Sequence, residues 1–255
     1  MKSRRTTIEA EDRIFAAREP RAGGFVFDDE VAGAFDDMIA RSVPFYAEQQ
    51  RMLAEIAGTF WIPGTRIYDL GCSTGTTLIR ICAALGDGAR GIGYDNSRPM
   101  LERAAANVAR AGLAARIELR HADLDARDES PSLDGASVVT LCWTLQFVRP
   151  LRRDHLVRWI YDALPTDGAL VVTDKVLTNT STMNRVFVDF YYDFKRRNRY
   201  SEVEIARKRE ALENVLIPYR TEENLEMFRR NGFEIVEVFF QWYNFAGFLC
   251  VKKPR

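Results

Sequence analysis

Three aspartates stand where strand-like segments end, and each can hold part of a nucleoside. In "YDLGCSTG", Tyr68 to Gly75, an apolar strand runs into Gly71 and Gly75, which let the backbone turn sharply and approach a ligand, while Asp69 sets a carboxylate beside the turn. Asp95 ends the next such segment, "ARGIGYDNS", where a carboxylate can accept both hydroxyls of a ribose. Asp123, in "HADL" after a third, can face an adenine amino group. The GxxxG spacing of the loop differs from the GxGxxG of dinucleotide sites, and the missing third glycine counts against NAD. The three acids in register point to nucleoside binding.

A second cluster is basic. "YYDFKRRNRYSEVEIARKREALENVL" places Lys195, Arg196, Arg197, Arg199, Arg207, Lys208 and Arg209 close together in a chain whose 36 basic and 36 acidic residues balance. Ser201 followed by Glu204 forms a capping box, so a helix is expected to begin there. On a helical wheel Ile205, Leu212, Val215 and Leu216 share one stripe, with Arg209 at its edge and Arg207 on the far side; Arg209 is therefore expected to face inward. A guanidinium pressed against apolar surface needs an anion, and its two parallel donors fit a carboxylate. Glu213, one turn on, and a substrate anion both satisfy that need. The neighbouring arginines read as a solvated face, with substrate recruitment or a dimer contact as the other reading.

The elements that must position these groups alternate in type. "TRIYDLGC" reads as a strand, "TTLIRICAAL" as a helix, "ARGIGYDNS" as a strand and "RPMLERAAANVARAG" as a helix closed by Gly112. "ARIELRHADL" and "ASVVTLCWTLQFV" follow as strands three and four, "RRDHLVRWIYDAL" as a helix, and "GALVVTDKVL" as strand five. "FEIVEVFFQW" and "NFAGFLCVKK", joined through "YN", are expected to be antiparallel neighbours. The pattern predicts a doubly wound α/β fold. Its seven-stranded, mostly parallel sheet ends in an antiparallel last strand, and a helical insertion at about 181–216 lies between strands five and six. One domain is expected over 25–255, after a flexible segment at 1–24.

Composition agrees with one large core, at 47% hydrophobic and 28% charged residues. The polar start "MKSRRTTIEAEDR" lacks a signal-peptide core, and no run approaches the length of a bilayer span, so a soluble cytoplasmic protein is expected. Cys72, Cys82, Cys142 and Cys250 are scattered without CxxC pairing, and His121 and His155 are the only histidines, which suggests neither a zinc site nor a disulfide framework. Neutral net charge argues against a generally basic surface for nucleic acid.

The acidic glycine loop, ribose acid, adenine acid and antiparallel last strand resemble the class I methyltransferases, the Rossmann-like superfamily that binds S-adenosylmethionine (SAM). Longer strings narrow the likeness. "DDEVAGAFDDMIARSVPFY", "YDLGCSTG", "YDNSRPMLERA", "TLQFV", "DFKRRNRYSEVEIARKREALENVL" and "FQWYNFAGFLCVKK" resemble the carboxy-S-adenosyl-L-methionine synthase family from about Phe25 to Lys253. The resemblance implies an enzyme that converts SAM and prephenate to carboxy-SAM and phenylpyruvate. The product then serves the modification of a wobble uridine in tRNA by a separate enzyme.

Carried over by motif, the resemblance implies that Tyr46, Gly71, Cys72, Ser73, Asp95, Asn96, Asp123 and Leu124 surround SAM, beside Asp69 and Gly75 of the loop. It places Arg209 on the carboxylate that distinguishes the product. Where the family has asparagine in "NFTLQF", this chain has Cys142 in "CWTLQF", so a polar contact to SAM falls on a thiol, a weak donor and acceptor. A neighbour or the main chain compensates, or the chemistry has changed to methyl transfer to another small molecule or to intramolecular SAM cyclisation. The implied reaction removes a proton from the acidified methyl group of SAM, by groups of the substrate itself, and adds carbon dioxide to the resulting ylide. It requires a dry pocket. A homodimer, joined through the inserted helices, is expected by the same analogy.

Overall fold

The computed structural model describes residues 27–126 and 131–254; the segment expected to be flexible, 1–24, lies outside them. Five parallel strands form the centre: β1 (Arg66–Leu70), β2 (Arg90–Asp95), β3 (Ile117–His121), β4 (Ala136–Cys142) and β5 (Ala169–Leu177). With β7 (Ile235–Trp242) and β8 (Phe245–Val251) the order is β3-β2-β1-β4-β5-β8-β7. β8 runs antiparallel to both neighbours, joined to β7 through Tyr243 and Asn244. An additional strand, β6 (Tyr219–Arg220), pairs with the end of β5 and makes eight where seven were expected.

Strand faces explain the layers. Val138 and Val139 are both fully buried, yet they point to opposite sides of β4. Val138 and Ile67 pack under Ala57 of α2 (Tyr46–Phe60), Leu78, Ile81 and Cys82 of α3 (Thr76–Leu85), and Val108 of α4 (Arg98–Arg110). Val139, Leu141, Leu170 and Val172 pack under Leu156, Val157 and Ile160 of α5 (Pro150–Ala163) and Met227 and Phe228 of a later helix, Thr221–Arg230. Each such side chain contributes about 1.5–3 kcal/mol on burial.

A third cluster roofs the carboxyl ends of the strands. It joins Val31, Phe35, Met38 and Ile39 of α1 (Asp29–Ser42) to Tyr191 of α6 (Ser181–Arg197), Trp143 and Phe245. Asp28 caps α1 by accepting from Val31 N at 3.1 Å. The helix after α6, α7 (Glu202–Leu212), starts at the expected capping box, with Ser201 Oγ accepting from Glu204 N and Glu204 Oε2 accepting from Ser201 N. The segment Thr221–Arg230, α8, follows β6. Among the described residues no helix is long and apolar enough to cross a membrane.

Candidate active site

The strand order reverses between β1 and β4, where open α/β sheets place ligands. A cavity of about 370 Å³ lies there, floored by the ends of β1, β2, β4 and β5 and roofed by α1, α6 and α7. Gly71 turns the chain out of β1 at φ +76, and its N–H, with that of Cys72, donates to Tyr94 O at the end of β2. A Cβ at Gly71 would meet Thr144 Cγ2 at 2.4 Å, so no larger residue fits this turn. Ser73 and Trp143 also line the cavity with positive φ, 50 and 60, and Phe45, before Tyr46, has φ 54. Such backbone costs about 1–3 kcal/mol per residue and persists where the surroundings fix it, as at ligand sites.

Asp95 is tied to the loop: Oδ2 accepts from Ser73 N and Oδ1 from Ser97 N, each at 2.8 Å. Burial still pushes its carboxyl above the usual range, against the pull of those amides. Asp69 is nearly fully enclosed and accepts from Thr140 Oγ1 at 2.6 Å; burial pushes it up to about 7, reinforced by Asp95. Asp123 is exposed at the rim and accepts from Asp125 N at 3.0 Å, beside Leu124, Asn96 and Asp125. Tyr46 forms part of the wall, its phenol pushed well above the ordinary value mainly by burial.

Burial raises the thiols at this site. Cys72 is buried, and its Sγ would lie 2.8 Å from a Cβ at Gly93; burial raises it well above a normal thiol. Cys142 is pushed up to about 11, first by burial and then by Asp69. Its Sγ accepts from Gln50 Nε2 and Thr173 Oγ1, both at 3.4 Å, while Gln50 Oε1 is buried with no donor among the described residues. An amide therefore stands directly behind the Cys142 thiol.

Ten of the sequence-derived residues, Tyr46, Asp69, Gly71, Cys72, Ser73, Asp95, Asn96, Asp123, Leu124 and Cys142, meet around this cavity. Gly75 does not line it; at φ +80 it turns the loop into α3 behind the wall. Arg209 is a correction. It is exposed on α7, and the cation turned inward is Lys208, buried, with Nζ donating to Ser42 Oγ at 3.2 Å. The wheel used Val215 and Leu216 as helical positions, but α7 ends at Leu212 and Asn214 has φ 61. The inward stripe is Glu204, Ile205, Lys208 and Leu212, and Arg209, about 100° on from Lys208, faces out. Among the described residues Arg209 makes no ion pair with Glu213 or any other acid.

Sequence reasoning did not name Lys175 and counted Lys208 only as one of the basic cluster; among the described residues these are the two cations that line the cavity. A lysine near the carboxyl end of a central strand, Lys175 in "ALVVTDKVL", was the available signal for the first. The set suits a nucleoside with a charged tail: a glycine turn without room for Cβ, an acid at each of two strand ends, and an apolar chamber beyond them.

A family model described as a methyltransferase domain matches residues 67–168. A carboxy-S-adenosyl-L-methionine synthase of Methylococcus capsulatus is 52% identical over 94% of this chain and 99% of that protein. Synthases of the same description from Nitratiruptor and Nautilia profundicola are 43% and 44% identical, over 96% and 95% of this chain and 99% and 100% of those proteins. Among solved structures, an O-methyltransferase family protein from Burkholderia thailandensis superposes with TM-score 0.65 at 15% identity, over 89% of this chain and 60% of that one. Human N-acetylserotonin methyltransferase with SAM gives 0.58 at 12%, over 89% and 56%. These two show the fold, a class I methyltransferase sheet.

Proposed function

The chain belongs to the carboxy-S-adenosyl-L-methionine synthase family, and from that premise we propose that its cavity takes SAM and prephenate and releases carboxy-SAM and phenylpyruvate. The observation that carries the reading is the extent of the likeness. The general methyltransferase match stops at residue 168, whereas the synthases match over 94% of the chain, inserted helices included.

Asp95 holds the ribose hydroxyls, Asp123 and Leu124 the adenine, and the Gly71–Ser73 loop the amino-acid end. Prephenate loses carbon dioxide and hydroxide as its ring aromatises. The hydroxide takes the proton from the SAM methyl group, and the ylide carbon bonds to the carbon dioxide. Water is the by-product, so atoms and charge balance. The roof of Phe35, Met38, Ile39 and Tyr191 keeps bulk water from both intermediates.

Arg209 holds the new carboxylate. Because it faces outward on its own chain, it reaches the cavity of a second copy, in a homodimer joined through α6 and α7. We place the enzyme in the cytoplasm, where a separate enzyme uses its product on a tRNA wobble uridine.

The test is mass spectrometry of the ligand released from the purified protein. A species heavier than SAM by one CO2 is expected; SAM alone or its demethylated product would point instead to methyl transfer or cyclisation, the chemistry that Cys142 raised.

A further inference from the structure

We propose that Lys175 is the cation of a second carboxylate subsite, which holds the carboxylate that the co-substrate keeps through the reaction. The inference deepens the reading above and rests on it for the identity of that co-substrate. Lys175 lies on β5 in register with Phe245 of β8, and its side chain enters the chamber beneath the roof. Its Nζ stands over the Tyr191 ring at 4.5 Å and the Phe245 ring at 5.5 Å. Lysines in such surroundings usually extend the ammonium to water. This one is half-buried with its ammonium set against the two rings, and no carboxylate pairs with it among the described residues.

The acids of the cavity are engaged elsewhere. Asp69 is bonded to Thr140, Asp95 to two backbone amides, Asp123 to the Asp125 amide, and Asp125 to Arg149. Asp174, next in the chain, accepts from Gln146 N. Aromatic faces soften the cost of a partly desolvated ammonium without neutralising it. Burial, and next the charge of Lys208, pull Lys175 down to about 8, which leaves it protonated at neutral pH and favours arrival of an anion. Trp143, packed on Phe245 at 5.4 Å, adds a buried Nε1–H with no acceptor among the described residues. This end of the cavity is thus rich in donors and poor in acceptors.

Prephenate carries two carboxylates. The one that migrates ends on the sulfonium's carbon, where Arg209 accounts for it. The pyruvyl carboxylate remains in phenylpyruvate, and Lys175 with Lys208 beside it supplies the only positive charge of the cavity wall among the described residues.

The experiment titrates the full chain, loaded with SAM, with phenylpyruvate by calorimetry, and measures KM for prephenate in parallel. Lys175→Met should weaken phenylpyruvate binding and raise that KM by at least about tenfold, with SAM affinity within about twofold and Lys175→Arg recovering most of the loss. Unchanged phenylpyruvate affinity in Lys175→Met overturns the subsite. An equal loss of SAM affinity also overturns it, by assigning Lys175 to the amino-acid end of SAM. If the wild-type protein does not turn prephenate over, the proposed reaction fails, and the titration still decides the subsite: no phenylpyruvate binding, or binding indifferent to Lys175, removes it.

Discussion

Arg209→Ala is expected to lower formation of carboxylated product by at least about 100-fold while SAM affinity changes by less than about twofold. The side chain is exposed and makes no ion pair among the described residues, so its removal breaks no salt bridge within the chain. A loss confined to catalysis therefore reports on the reacting carboxylate, where a guanidinium offers two parallel donors. The proposed dimer makes a sharper demand. Mixed with Asp95→Ala at a SAM concentration too low to load that variant, Arg209→Ala should regain about a quarter of the wild-type rate. Half of randomly formed dimers pair the two variants, and each of those has one site with an intact Asp95 and an Arg209 supplied by its partner. Action within one chain predicts no recovery, and full activity of Arg209→Ala alone would remove the residue from the mechanism.

Asp95→Ala should weaken SAM binding about 100-fold, as read by equilibrium titration. A carboxylate that accepts two ribose hydroxyls makes two charge-assisted hydrogen bonds, each about 1.5–3 kcal/mol, and part of the loss is offset by water. The same carboxylate also accepts from Ser73 N and Ser97 N, so the alanine loosens the glycine loop and adds to the effect. Asp95→Asn keeps one acceptor for these amides and should fall between the two. Unchanged affinity in the alanine variant would contradict the ribose assignment.

The glycine-loop side of the cavity was legible because its signals are local. A strand that ends in glycine or aspartate fixes both the turn and the direction of the acid, and Asp69, Asp95 and Asp123 stand at the cavity as expected. Alternating segments likewise gave β1 to β5 and the final antiparallel pair. The chamber under the roof was less legible because it is assembled from distant segments. Lys175 meets Tyr191 and Phe245 only through the β5–β8 register and the packing of α6, and Lys208 meets Ser42 across the roof. For Arg209 the error was one of helix length: two residues past the end of α7 shifted the apparent inward face by one position. β6 is two residues long, too short for periodicity to reveal.

The central claim is that the methyl carbon of SAM becomes bonded to a carboxyl carbon taken from the co-substrate. The most direct measurement supplies SAM and prephenate labelled with carbon-13 at the ring carboxyl, under unlabelled bicarbonate, and follows the label by mass spectrometry and NMR. The account predicts one labelled carboxyl on the sulfonium's carbon, with unlabelled phenylpyruvate formed in equal amount. Unlabelled carboxy-SAM, or S-adenosylhomocysteine with a methylated acceptor, would contradict it.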